Sequence, residues 1–231
     1  MNDVTSLKAA TIESKFLASD DKGEVSSLLM RPPDAQWLLV LGHGASTNMR
    51  HPNLQKIAER LMEVGVATFR YNFPYAESGG GRNSNAVCIE TVRAAVAAAH
   101  QAAGDLKVLA GGHSFSGRMT SMATAEEPIE QLRGLVFFAF PLHPAGKPAT
   151  SRADHLDDVP IPLLFLSGTR DKLAEQKLLK PVCDRLGDKA TLRWLDTADH
   201  GFKILKRSRK SDEDVFVEMS RAVVDWVSSL D

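Results

Sequence analysis

Two hydrophobic periods take turns along this chain. Thr11–Ala18 and Glu24–Arg31 read as short strands joined by the turn DDKG, which predicts an antiparallel hairpin. Gln36–Gly42 (QWLLVLG) is a near-continuous apolar run, the pattern of a strand buried on both faces. Pro52–Val64 then places Leu54, Ile57, Ala58 and Leu61 on one helical face. Val66–Arg70 returns to strand. The polar, glycine-rich YNFPYAESGGGRNSN reads as loop, and Ala86–Ala103 as an alanine-rich helix. Leu106–His113, Gly134–Phe140, Ile161–Ser167 and Thr191–Leu195 complete the strands, and Ala174–Leu186 is helical. Near the end, Ser211 with Asp214 resembles a capping box. The helix after it carries Phe216, Met219, Val223, Trp226, Val227 and Leu230 along one stripe.

This alternation predicts an α/β fold, with a mostly parallel sheet, helices on both faces and the hairpin at its start. No linker or repeat divides residues 1–231, so one domain is expected. The twenty residues 141–160, between two strands, are too few for a large lid domain. In such sheets ligands bind beyond the carboxyl ends of the strands. The chemistry is therefore expected in GHGAS, RYNFPY, HSFSG, PLHP, GTRD and ADHG.

Composition narrows the class. Hydrophobic content of 43% and charged content of 25% are those of an ordinary globular protein. The net charge of −1 gives no reason to expect nucleic acid or an anionic membrane as partner. No segment nears the length of a membrane span, and MNDVTSLKAATIESK has no apolar leader core. The two cysteines, Cys88 and Cys183, lie far apart and in no metal-ligand spacing. No disulfide framework or metal site is expected, and a reducing, cytoplasmic location fits.

The densest motif is GGHSFSGRM, Gly111–Met119, at a strand-to-helix junction. As a phosphate loop it fails at the functional positions, because Arg118 and Met119 replace the lysine and the hydroxyl residue. As a nucleophile elbow, G-x-S-x-G, it requires small residues two before and two after the serine. Ser114 has Gly112 and Ser116 there, whereas Ser116 would have the large Arg118. Ser114 is therefore the candidate nucleophile, with a serine where a glycine spacer is usual.

A serine hydroxyl needs a base and a group to orient that base. Asp171 in GTRD and His200 in ADHG follow in the order Ser, acid, His, each at a strand end. Asp196 and Asp199 are rival acids. An oxyanion would need two aimed N–H groups, for which Phe115 and Ala45 are the choices. His43 reads as a loop brace, His113 as a packed residue, and Arg70 as either a loop brace or an anion ligand. Gly44, Ser46, Tyr75 and His143 are candidates to line the pocket of a small-molecule substrate.

LGHGAS, FRYNFPY, GGHSFSGRM, FPLHPAGKP, HLDDVPIPLLFLSGTRD and DHGF together resemble the α/β-hydrolases. They are most similar to the dienelactone-hydrolase-like branch with its testis-expressed and NSL-complex-subunit relatives. The resemblance runs from about Trp37 to the C-terminus. It implies an α/β-hydrolase fold with an eight-stranded sheet, a Ser114/Asp171/His200 triad and no cofactor. Dienelactone hydrolases carry a cysteine nucleophile where this chain has serine. The expected activity is that of a serine hydrolase of esters or thioesters with small or protruding acyl groups. The alternative is a silent binding or scaffold protein, for which the basic KILKRSRK (Lys203–Lys210) is a candidate contact patch. The oligomeric state is open.

Overall fold

The structure, a computed structural model, describes residues 11–230; the first ten residues, on which the expectation of no leader core falls, and residue 231 lie outside them. Eight strands form one sheet: β1 (Thr11–Ser19), β2 (Gly23–Met30), β3 (Trp37–Gly42), β4 (Val66–Tyr71), β5 (Lys107–His113), β6 (Leu132–Phe138), β7 (Leu163–Gly168) and β8 (Ala190–Leu195). Their order is β1-β2-β4-β3-β5-β6-β7-β8. β1 pairs antiparallel with β2, and β2 with β4. From β4 across to β8 every pair is parallel.

Parallel strands need crossovers, and helices supply them on both faces. The crossovers carry α1 (Pro52–Glu63), α2 (Pro74–Ser78), α3 (Asn85–Ala102), α4 (Phe115–Glu126), a 3₁₀ helix (Ser151–Asp158) and α5 (Gln176–Leu186), and α6 (Val215–Val227) follows β8. Strand alternation sorts the core. Leu38 and Val40 of β3 face α3 and α4. Trp37, Leu39 and Leu41 face α1 and α6. Among the described residues no helix is long and apolar enough to cross a membrane.

Three local expectations are corrected. The stretch read as loop contains α2, whose N-terminal Pro74 supplies a preset φ. The last helix is capped by Asp214, whose side chain accepts from the Phe216 amide, while Ser211 accepts from Glu213 outside the helix. β6 spans Leu132–Phe138 rather than Gly134–Phe140. Ala139, at φ 60°, turns the chain out of the sheet, yet Phe140 stays in the core.

Helix α4 starts close against the sheet, and glycines make room for it. Gly111 (φ 154°) and Gly112 (φ 143°) hold backbone conformations that side chains rarely adopt. A Cβ on Gly111 would sit 1.9 Å from the Val136 carbonyl oxygen. Gly111→Ala is expected to destabilise the protein by about 3 kcal/mol or more, through strain and overlap. Gly81→Ala, with nothing within 4 Å of its added methyl, should differ little from wild type. Urea midpoints of the two variants test the contrast.

Candidate active site

Ser114 stands between β5 and α4 with φ 53° and ψ −107°, a sparsely populated conformation for a residue with a side chain. Its amide donates to the Phe138 carbonyl (2.9 Å), and its own carbonyl accepts from Arg118 in the first turn of α4 (3.3 Å). The side chain is thereby lifted to the strand ends. Its Oγ is 2.8 Å from His200 Nε2.

His200 follows β8, and its Nδ1 lies 2.8 Å from Asp171 Oδ2. Asp171 follows β7, and its other oxygen accepts from the Leu173 amide at 2.8 Å. An acceptor beside Nδ1 puts the proton on that nitrogen, leaving the Nε2 lone pair for the serine hydroxyl. The rival acids are engaged elsewhere. Asp199 accepts from the amides of Gly201 and Lys203, and Asp196 from that of Lys210.

Ser116 explains its own presence. It is fully buried, and its hydroxyl donates to the His113 carbonyl (3.2 Å). A Cβ on Gly42 would meet Ser116 Cβ at 2.4 Å, and one on Gly112 would meet its Oγ at 2.3 Å. Two flanking glycines make the space in which serine replaces the usual glycine.

Histidines brace the loops around the triad. Buried His43 donates from Nδ1 to the Gly44 carbonyl (2.8 Å) and accepts at Nε2 from the Phe73 amide (3.1 Å). The Gly44 oxygen also accepts from the Thr47 amide and hydroxyl and, at 3.5 Å, from Tyr75. Tyr75 and Gly44 are buried, Ala45 is half-buried and Ser46 is exposed. Phe115 opens α4, where first-turn N–H groups have no intrahelical acceptor.

His143 does not line an open cleft. Its side chain is fully buried, with Nδ1 against the Pro144 carbonyl (2.8 Å) and Nε2 against Glu175 (2.6 Å). It ties the loop after β6 to the start of α5, and this bond holds the Glu175 carboxyl below its ordinary range. Arg70 is likewise buried and donates to the Met49 carbonyl, bracing the loop ahead of α1. Within the basic stretch, the Arg209 side chain is buried and pairs with Glu218 on α6. Residue patterns did not reveal that His113 Nε2 donates to the His200 carbonyl (3.0 Å), fixing the backbone of the triad histidine. Only its place before Ser114 hinted at a role.

Burial pushes His43 and His113 each down to about 4. The folded protein keeps both rings neutral where an unfolded chain, near the ordinary 6.5, would protonate them. The unfolded state then binds more protons between these values, so stability falls as pH drops from 6.5 towards 4. Urea midpoints should decline from about pH 7 to about pH 5. A flat or rising midpoint over that interval would contradict neutral, buried rings.

Burial also raises the thiols, Cys88 to about 11 and Cys183 to about 12, so neither is poised as a nucleophile. Among the described residues no group of three or more His, Cys, Asp or Glu is arranged to hold a metal ion.

Known proteins share this architecture. A dienelactone hydrolase from Anabaena variabilis superposes with a TM-score of 0.73 at 18% identity, covering 95% of this chain and 98% of its own. A lidless α/β serine hydrolase from Xanthomonas campestris gives 0.70 at 19% identity, covering 97% and 98%. Est1E from Butyrivibrio proteoclasticus gives 0.69 at 16% identity, covering 94% and 98%. The family model described as "Alpha/beta hydrolase domain" matches residues 35–228. The chain therefore belongs to the α/β-hydrolase domain family.

Proposed function

We propose that the protein is a serine hydrolase of carboxylic esters or thioesters, in the dienelactone-hydrolase-like branch that includes the testis-expressed and NSL-complex-subunit relatives. The observation that carries this reading is the continuous bond chain Ser114–His200–Asp171, begun by a serine in a strained elbow. Strain of this kind persists only where the surroundings enforce it, and it gathers at functional sites.

Ser114 Oγ attacks the substrate carbonyl while its proton passes to His200 Nε2. Asp171 keeps Nδ1 protonated and stabilises the imidazolium that forms. The alcohol or thiol leaves with the proton from His200. Water then gives a proton to His200 and attacks the acyl-serine, and the released Ser114 regains its proton.

The oxyanion rests on the N–H groups of Phe115 and Ala45. Support for Ala45 comes from the Gly44 carbonyl, which His43, Thr47 and Tyr75 pin. In a trans peptide the C=O and the following N–H point oppositely, so pinning the Gly44 oxygen aims the Ala45 N–H. Gly44, Ser46 and Tyr75 border the pocket in this reading, and His143 supports the loops behind it. Two unbridged cysteines suit a reducing, cytoplasmic setting.

A fluorophosphonate probe tests the reading. Wild-type protein is expected to be labelled covalently at Ser114. Absence of labelling in folded protein would favour the silent scaffold instead.

A further inference from the structure

Glu175 ends the loop that carries the triad acid. It is the N-cap residue of α5, yet its side chain makes no cap bond. Its carboxylate crosses instead to the loop after β6, where His143 Nε2 donates to it at 2.6 Å. The other nitrogen of that ring donates to the Pro144 carbonyl at 2.8 Å. Both ring nitrogens face acceptors, so both carry hydrogen. The His143 side chain is fully buried and Glu175 is partly so. Burying such a pair costs desolvation that the attraction does not always repay, and its value then lies in the arrangement it fixes.

What this pair fixes is the seat of Asp171. The Ser114 amide donates to the Phe138 carbonyl at the end of β6 (2.9 Å), so this strand end holds the nucleophile. Four residues on, the same segment holds the acid's loop through two consecutive residues. The Leu142 amide donates to the Leu173 carbonyl (2.8 Å), and His143 donates to Glu175. Leu173 is also the residue whose amide donates to Asp171 Oδ1 (2.8 Å).

On its other side Asp171 is tied to the loop of His200. The Arg170 amide donates to the Ala198 carbonyl (2.9 Å), and the Arg170 guanidinium to the Thr197 carbonyl (3.1 Å). The acid therefore hangs between two grips. One relates it to His200, the other to the strand end that holds Ser114. Without the His143–Glu175 bond, the polar part of the second grip is one hydrogen bond, about which the loop can turn.

We propose that Glu175, held by His143, is a positioning residue that sets Asp171 for its bond with His200. This rests on the hydrolase reading and adds to it two residues that act through the acid.

Glu175→Ala removes the acceptor without removing a cap bond, and Glu175→Gln keeps an oxygen for His143. With a p-nitrophenyl ester, Glu175→Ala is expected to lower kcat by about 10²-fold, the scale of a misplacement of about 1 Å. KM should stay within about twofold of wild type, because no substrate contact is lost. Glu175→Gln should recover most of the loss. His143→Leu, which fills the space but donates nothing, should match Glu175→Ala and serves if that variant does not fold. In the Asp171→Asn background, Glu175→Ala should cost less than about twofold more, since its effect passes through the carboxylate already removed. The far-downfield proton resonance of His200 Nδ1–H against Asp171 reads the same contact without turnover. It should be shifted or lost in Glu175→Ala and restored in Glu175→Gln. A lower urea midpoint with wild-type kcat and an unchanged resonance would mean a merely structural tie and overturns the inference. A loss that falls on KM, or that is equally large with and without Asp171, overturns it too, because Glu175 would then act on the substrate directly. No turnover by folded wild-type protein overturns the hydrolase reading alone, and the resonance still decides whether Glu175 positions Asp171.

Discussion

Ser114→Ala should lower kcat for a p-nitrophenyl ester by about 10⁶-fold, the scale of losing a triad nucleophile. It should also abolish fluorophosphonate labelling. Ser116→Ala should keep labelling, with kcat within about tenfold of wild type and a stability loss of about 1 kcal/mol for one hydrogen bond. The two serines are neighbours in sequence but differ in every physical respect. Ser114 is partly exposed and its hydroxyl reaches His200 Nε2. Ser116 is fully buried and its hydroxyl is bonded to the His113 carbonyl. Alanine at 116 keeps the Cβ that packs against Gly42 and Gly112. Alanine at 114 leaves the elbow intact but removes the attacking oxygen. Labelling retained in Ser114→Ala and lost in Ser116→Ala would reverse the assignment.

The central strands β3, β5, β6 and β7 were legible because each is a short, mostly apolar run bounded by turns and buried on both faces, whereas the largely exposed β1 was legible from the turn DDKG that joins it to β2. Where those patterns failed, the cause is specific. Helix α2 has five residues, too few to display a helical period. Phe140 and Leu142 are as apolar as the strand before them, so pattern alone extends β6 past the turn at Ala139. Asp214 caps α6 itself, and a serine three residues earlier imitates a capping box.

The bonded set Ser114, His200 and Asp171 could be brought together from the sequence because its members follow the ends of β5, β7 and β8, a placement that topology dictates. The contacts that hold it were not legible there. His143 meets Glu175, and His113 meets the His200 carbonyl, across sequence gaps of 32 and 87 residues that no local period reports.

Asp171→Asn should lower kcat by about 10⁴-fold without unfolding the protein. The carboxylate accepts twice, from the Leu173 amide at Oδ1 and from His200 Nδ1 at Oδ2. Asparagine has one carbonyl oxygen. If that oxygen serves Leu173, the side-chain NH₂ faces His200 Nδ1 and requires it to accept. The imidazole then carries its proton on Nε2 and has no lone pair for Ser114. Asp199→Asn provides the contrast. Its bonds from Gly201 and Lys203 both end on Oδ1, so one amide oxygen can take over both. Its kcat should stay within about tenfold of wild type, since backbone acceptor capacity in the turn is preserved. Steady-state kcat and the rate of fluorophosphonate labelling, measured on both variants, read the same step by two routes. A large loss in Asp199→Asn with Asp171→Asn near wild type would move the acid to position 199. It would also require a rearranged His200, because in this fold Nδ1 points to Asp171, whose side chain is fully buried behind it.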